Sequence, residues 1–82
     1  SLAAELGPQG IRVNAVSPGV MKTRVTDKMP PKYMDLFIAR SALRRISEPR
    51  EIAAVVRFLV SEQASYVNGQ TIKVDGGGVG AM

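Results

Sequence analysis

The residues best suited to bind a ligand follow an apolar segment near the start of the chain. Residues Ile11 to Val16 are rich in apolar and β-branched side chains, which predicts a strand buried on both faces. Pro18 and Gly19 then form a turn, with Thr23 just beyond it. Ligand crevices in open α/β sheets form at the carboxyl ends of strands, because the backbone N–H and C=O groups that leave the sheet there are free to bind. The segment therefore predicts one side of a ligand site, and a nucleotide cofactor is the ligand that it indicates.

The composition excludes several classes of function. Of the 82 residues, 45% are hydrophobic and 22% are charged, as in an average globular protein. No apolar run approaches the roughly 18 residues of a membrane-spanning helix. The sequence contains neither cysteine nor histidine, so it lacks disulfides, thiolate metal ligands and the most common acid/base side chain. We therefore expect no metal site and no membrane span, and the cytoplasm is the expected location.

The positive charge is concentrated in the middle of the chain. The net charge is +4, and residues 22–50 hold eight lysines and arginines against three acidic residues. Such a segment can attract an anionic cofactor or substrate, although a solvated basic surface explains the charge equally well. Nucleic acid is a disfavoured partner, because only 5% of the residues are aromatic and no nucleic-acid-binding motif accompanies the charge.

The first half of the chain predicts two helices. Ser1 to Leu6 reads as the end of a helix, with Gly7 at the position expected just past a helix C-terminus, and the opening on Ser1 suggests that the chain is a fragment of a longer protein. A second helix is predicted over Lys32 to Arg40, after the Pro30-Pro31 break. It lies within a region of about residues 24–47 whose loop-and-helix pattern is typical of a lid.

The second half predicts a helix followed by a strand. Pro49 fits the first position of a helix, with Glu48 at its start and a core-facing apolar stripe that extends to Val60. Asn68-Gly69 then turns the chain into a strand over Gln70 to Val74, with Gly69 in a left-handed conformation. The order strand, helix, strand implies a parallel pair. The helix is apolar over more than one face, which indicates a second packing partner, either another helix or another subunit.

Two separated blocks resemble the C-terminal portion of the short-chain dehydrogenase/reductases, especially 3-oxoacyl-acyl-carrier-protein reductases and carbonyl reductases. The first block is Ile11 to Gly19 with Thr23, and the second is Ser65 to Gln70 followed by Val74 to Gly77. The resemblance implies an α/β fold that forms the C-terminal part of a Rossmann-type doubly wound parallel sheet, with its last two strands, lid helix and flanking helices. Residues 1–82 would then be one segment of a single NAD(P)-binding domain.

The resemblance also implies where a cofactor binds. Pro18 and Gly19 would form the wall beside the nicotinamide ring, and the backbone at Met21 would bond its carboxamide. The Thr23 hydroxyl would bond the carboxamide or the phosphates. The family binds NADP or NAD, and the residues that distinguish the two lie outside this chain.

No catalytic residue is predicted within the chain. The family uses a Tyr-x-x-x-Lys pair and a serine, but here Tyr33 is followed four positions later by Phe37, and Tyr66 by Gln70. Both tyrosines are therefore expected to be packing or surface residues. In the family, the catalytic pair belongs to the helix that ends at Leu6, so the chain alone should be inactive. The glycine-rich segment 76–80 is expected to be a flexible tail, because no helix follows that could hold a phosphate.

The expected activity is hydride transfer between nicotinamide and a small-molecule carbonyl or alcohol, with this chain contributing the nicotinamide-side loop and the substrate lid. The resemblance implies a homo-oligomer, either a dimer or a tetramer. Carrier-protein reductases tend to have basic residues where this chain has Gln9 and Ala4, which argues against docking of a carrier protein. The alternative is a truncated, non-catalytic relative that acts as a subunit-association module. A set of apolar residues could line the substrate side of the lid: Val25, Met29, Met34, Leu36, Phe37 and Ile38.

Overall fold

The structure is a computed structural model that describes residues 1–78. None of the helices in that range is both long and apolar enough to cross a membrane. The fold is α/β, with two short strands, four helices and two 3-10 turns among the described residues. In chain order these are α1 Leu2–Leu6, a 3-10 turn Gly7–Gln9, β1 Ala15–Pro18, α2 Arg24–Asp27, α3 Pro31–Arg40, α4 Pro49–Leu59, a 3-10 turn Glu62–Ala64 and β2 Thr71–Val74.

The two strands pair in parallel, as the order of elements predicts. Ala15 faces Thr71 and Pro18 faces Val74 in the register. The first strand begins later than predicted, at Ala15 rather than at Ile11. Upstream of Ala15, side-chain amides replace the backbone ladder: the Val13 N–H donates to Asn68 Oδ1 (2.9 Å), and Asn14 Nδ2 donates to the Val67 carbonyl (3.0 Å).

The first strand was predicted to be buried on both faces, and within residues 1–78 this prediction is wrong. Ala15 and Ser17 are exposed, and within residues 1–78 only three apolar residues are buried: Ala3, Leu59 and Ala64. The radius of gyration is 15.5 Å, against about 12 Å for a compact chain of this length. Helices pack too sparsely in this chain to cover both faces of a two-stranded sheet, so the apolar residues of the strand remain partly exposed to solvent.

The helix boundaries agree with the sequence prediction at α4 and differ at α1. α4 begins at Pro49, with Glu48 as its N-cap. At the end of α1, Gly7 is not left-handed (φ −53°) but continues into the 3-10 turn, and Gly10 takes the left-handed conformation instead (φ 80°). Gly69 is left-handed as predicted (φ 71°).

Arg12 connects the segment before β1 to the end of α4. Its Nη1 donates to the carbonyls of Leu59 (2.8 Å) and Val67 (3.3 Å), and its Nη2 donates to the Ser61 carbonyl (3.3 Å). The last carbonyls of a helix lack partners within the helix and carry partial negative charge. A single guanidinium therefore stabilises the C-terminus of α4 and fixes it to the sheet.

Arg44 has a left-handed backbone, with φ of 58°, and is the one residue other than glycine with positive φ among the described residues. A Cβ is disfavoured there, so we expect Arg44→Gly to be more stable than Arg44→Ala by about 1 kcal/mol, the reverse of the order in a helix. Both variants lose the bond from Arg44 Nη1 to the Ala39 carbonyl (3.3 Å), so their difference isolates the backbone effect. Urea midpoints of the two variants, made in the longer protein of which this chain is expected to be a fragment, measure the difference, and equal midpoints would contradict the strain.

Candidate functional site

A cavity of about 370 Å³ opens at the carboxyl ends of β1 and β2. The ends of both strands form one wall, and α3 contributes Phe37 and Arg40 to another. The segment from Leu43 to Ser47 and the first turn of α4 complete it. This is the edge of the sheet at which the sequence predicts a ligand crevice. Of the six apolar lid residues predicted to face a substrate, Phe37 alone lines this cavity, and Val25 is 73% exposed.

Pro18 and Gly19, the two residues predicted to form a ligand wall, line the cavity. The Gly19 N–H donates to the Val74 carbonyl (2.9 Å), which extends the pairing of the strands past Pro18. A Cβ on Gly19 would lie 2.9 Å from the Asp75 Cα, closer than side-chain carbons approach backbone. Glycine at position 19 is therefore required for the close approach of the two strand ends, a reason that the sequence alone did not supply.

The backbone of Met21 is fixed by Ser47 and still has a free donor and acceptor. Met21 forms a parallel bridge with Ser47, in which the Ser47 N–H donates to the Val20 carbonyl (3.0 Å) and the Lys22 N–H to the Ser47 carbonyl (2.8 Å). In a parallel bridge these bonds involve the neighbours of the central residue, whose own N–H and C=O face the other way. Neither group of Met21 has a hydrogen-bond partner within residues 1–78.

Thr23 is the N-cap of α2 and forms a reciprocal pair with Thr26. Thr23 Oγ1 accepts from the Thr26 N–H (3.3 Å), and Thr26 Oγ1 accepts from the Thr23 N–H (2.7 Å). The Thr23 side chain is exposed, and its hydroxyl hydrogen has no acceptor among the described residues, whereas Thr26 is buried and donates to the Thr23 carbonyl (2.9 Å). The Thr23 hydroxyl can therefore still donate one hydrogen bond outward.

The four predicted binding residues lie on one continuous segment but divide between two surfaces. Pro18 and Gly19 face the cavity, while Met21 and Thr23 do not line it. A ligand that contacts all four must extend past the cavity along the chain after β1. Within residues 1–78 no acidic side chains gather closely enough to hold a metal ion.

An ion pair that the sequence analysis missed forms part of the cavity wall. Arg45 Nη1 and Nη2 donate to Glu51 Oε1 (2.7 Å) and Oε2 (2.8 Å), and Glu51 Oε1 also accepts from the Glu48 N–H (2.9 Å). The hydrogen bonds from Arg45 and then from Glu48 lower the pKa of Glu51 to about 2. The contribution of this pair to stability is therefore complete above the ordinary pKa of 4.5 and is lost as the pH falls toward 2. The capping-box spacing from Glu48 to Glu51 was the sequence signal that could have predicted the bond from the Glu48 N–H to the Glu51 carboxylate.

The turn after β2 is hydrogen-bonded to the segment that follows α3. Asp75 Oδ1 accepts from the N–H groups of Gly77 (3.0 Å) and Gly78 (3.2 Å). The Ala42 and Leu43 N–H groups donate to the carbonyls of Gly77 (2.8 Å) and Gly76 (3.0 Å). The predicted flexible tail is therefore wrong for residues 76–78, which these bonds hold in place, and the rest of that prediction, residues 79–80, lies outside the described residues.

The two tyrosines lie at the surface, as expected. Tyr66 is fully exposed, and Tyr33 is 47% exposed with the Lys32 Nζ 5.1 Å from the centre of its ring. Neither tyrosine lines the cavity at the carboxyl ends of the strands.

The chain matches a family profile and several known proteins over nearly its whole length. The profile described as enoyl-(acyl carrier protein) reductase covers residues 1–78. A 3-oxoacyl-[acyl-carrier-protein] reductase of Thermotoga maritima is 47% identical over 75 residues, which are 92% of this chain and 30% of that protein. A meso-2,3-butanediol dehydrogenase of Serratia marcescens is 46% identical over 77 residues, which are 94% of this chain and 31% of that protein.

Solved structures give the same result. A 3-oxoacyl-[acyl-carrier protein] reductase from Brucella melitensis superposes with a TM-score of 0.90 at 41% identity, covering 93% of this chain and 28% of that one. The chain thus spans about three tenths of the length of the curated relatives. The similar structures are Rossmann folds, which confirms the predicted fold class. This chain therefore belongs to the short-chain dehydrogenase/reductase family.

Proposed function

We propose that the chain is the C-terminal part of an NAD(P)-dependent oxidoreductase and forms the nicotinamide side of its site. The observation that carries the proposal is the Met21 backbone, which is held by Ser47 while its N–H and C=O have no partner among residues 1–78. A carboxamide offers one acceptor and a pair of donors in one plane, and a free backbone N–H and C=O are the complementary set. Thr23 supports the proposal with its remaining hydroxyl donor.

The residues of the chain bind and orient in this proposal, and they transfer no proton. When bound, the nicotinamide supplies or accepts the hydride. Met21 fixes the carboxamide through its backbone, and Thr23 donates to the carboxamide or to a phosphate oxygen. Pro18 and Gly19 form the wall beside the ring. Orienting the reactive ring in this way lowers the barrier to hydride transfer without any acid or base in this segment.

The proposed substrate is a small-molecule carbonyl or alcohol, with NAD or NADP as cofactor. The names of the relatives include a butanediol dehydrogenase and a hydroxysteroid dehydrogenase, whose substrates share a hydroxyl group that can be oxidised. The 24–47 segment, with α2 and α3, is the proposed substrate lid. We also propose that the whole protein is a homo-oligomer.

A second candidate is a truncated, non-catalytic relative that acts as a subunit-association module. Exposed apolar residues on α4 and at its C-cap favour this candidate, since they could pack against another subunit. Val56, Phe58 and Val60 are 44%, 45% and 75% exposed. The coding sequence upstream of Ser1 distinguishes the two. A Tyr-x-x-x-Lys motif there supports the enzyme, whereas an initiator methionine directly before Ser1 supports the module.

Removal of the Thr23 hydroxyl tests the proposal directly. In the longer protein that carries this chain, Thr23→Val is expected to raise the Kd for NADH or NADPH about tenfold, since a hydrogen bond to the bound cofactor is lost. Thr23→Ser keeps the hydroxyl and should stay within about twofold. Fluorescence titration of the reduced cofactor measures both.

The capping role of Thr23 requires its own control. Thr26→Val breaks the same reciprocal pair at α2 but removes no group proposed to reach the cofactor. If Thr26→Val weakens cofactor binding as much as Thr23→Val does, the effect comes from the helix cap. An unchanged Kd in Thr23→Val would show that Thr23 is purely structural.

A further inference from the structure

We infer that the Arg45–Glu51 ion pair positions the nicotinamide side of the site by holding Ser47, and that it does so without contacting the cofactor. This inference rests on the proposed function, because it concerns the same Met21 backbone. Arg45 and Glu51 are positioning residues in this scheme.

The first step is the closure of a short loop. One carboxylate, that of Glu51, accepts three N–H groups: two from Arg45 at 2.7 and 2.8 Å and one from the Glu48 backbone at 2.9 Å. Arg45 lies before α4, and Glu51 lies in its first turn. The pair therefore joins the two ends of the segment 45–51, which restricts the residues between them.

The second step leads from this loop to Met21. Ser47 lies inside the closed segment and makes three bonds to the chain after β1. Its N–H and Oγ donate to the Val20 carbonyl (3.0 and 3.3 Å), and its carbonyl accepts from Lys22 (2.8 Å). These bonds flank Met21 on both sides. A displacement of Ser47 must therefore move the free N–H and C=O of Met21 with it.

The third step separates positioning from stability. The two side chains are 52% and 35% exposed, and exposed ion pairs contribute little to folding. A bidentate arginine–carboxylate pair nevertheless fixes direction as well as distance. Both residues also line the cavity that Pro18 and Gly19 border. The loss of the pair should therefore appear in cofactor binding on the nicotinamide side before it appears in the stability of the protein.

The experiment compares the affinity for the whole cofactor with the affinity for ADP-ribose, the part of the cofactor that lacks nicotinamide. In the longer protein that carries this chain, the Kd is measured for NADH and NADPH, and for ADP-ribose and its 2′-phosphate. Glu51→Gln is expected to raise the Kd of the preferred reduced cofactor about tenfold, since small displacements of binding groups have effects of that order. The Kd of the matching ADP-ribose should stay within about twofold, because the adenosine half binds elsewhere.

Two further variants sharpen the test. Exchanging the charges, Arg45→Glu with Glu51→Arg, should recover part of the lost affinity, because it restores the ion pair but leaves no acceptor at position 51 for the Glu48 N–H. Arg50→Met removes a neighbouring exposed arginine that makes no hydrogen bond within the described residues, and should leave both Kd values unchanged. A merely structural role would change both ligands together and would not be rescued by the exchange.

Each failure has a separate meaning. An unchanged Kd for the reduced cofactor in Glu51→Gln, or an equal loss for ADP-ribose, overturns the positioning role while the proposed function stands. A wild-type protein that binds neither reduced cofactor overturns the proposed function, and this inference with it. If Glu51→Gln does not fold, Arg45→Lys is measured in its place, and failure of both to fold contradicts the inference, because the pair would then be essential for stability.

Discussion

Arg12→Met is expected to destabilise the protein by about 2–4 kcal/mol. The substitution keeps an apolar stem but removes the guanidinium that donates to the carbonyls of Leu59, Ser61 and Val67. Hydrogen bonds from charged donors are stronger than neutral ones, and the helix C-terminus loses a favourable positive charge as well. Urea denaturation of the longer protein proposed above, followed by circular dichroism, measures the change.

Two variants separate this role from simple charge. Arg12→Lys keeps the charge but not the fork that reaches three carbonyls, so it should recover only part of the loss. Arg57→Met removes an exposed arginine from the last turn of α4 and should change the stability by less than about 0.5 kcal/mol. If Arg12→Met were no more destabilising than Arg57→Met, the contacts of Arg12 would contribute nothing measurable.

The isolated 82-residue chain is expected to show neither cooperative unfolding nor turnover of a ketone with NADH or NADPH. The described residues bury only three apolar side chains, and all three are small or lie at the end of an element. That burial is too small to offset the conformational entropy of a chain this long. The exposed apolar residues on α3 and α4 would instead be covered by the rest of a Rossmann domain.

Denaturation and assay of the purified chain test this expectation. A broad, nearly linear urea response and strong binding of an apolar fluorescent dye are the expected signatures. The proposed longer protein is the control, and it should unfold in a sigmoidal transition under the same conditions. A sharp transition of the isolated chain would show that its few buried contacts suffice, and turnover by the isolated chain would refute the roles assigned to its residues.

Elements with a local signal could be predicted from the sequence. The start of α4 at Pro49 is one such element, because a proline without an N–H fits the first turn of a helix and the apolar stripe follows the helical period. The parallel pairing followed from the order of elements. The turn predicted at Pro18 and Gly19 is wrong: Pro18 is the last residue of β1, and the Gly19 N–H continues the ladder to the Val74 carbonyl. The distant partner strand holds this segment extended, which the local Pro-Gly signal did not indicate.

Features that depend on distant partners could not be predicted. The first strand starts at Ala15 because Asn14 and Asn68 replace ladder bonds across more than fifty residues. The burial of that strand was misjudged, because apolar composition says that a residue can be buried but not which layer covers it. The role of Gly19 became clear only from the Asp75 Cα against it.

The sequence alone determined the family resemblance and the parallel strand pair. It also singled out the segment that follows the first strand as the candidate ligand-binding segment. The tertiary structure decided what that segment can do. In the part of the chain that the structure describes, the N–H and C=O of Met21 have no partner, because Ser47, far along the chain, bonds the residues on both sides of Met21. The Arg45–Glu51 pair, which we propose restrains Ser47, likewise forms only when the segment after α3 meets the first turn of α4. Periodicity and turn residues encode local conformation, whereas the groups left free to bind are fixed by contacts that only the folded chain brings together.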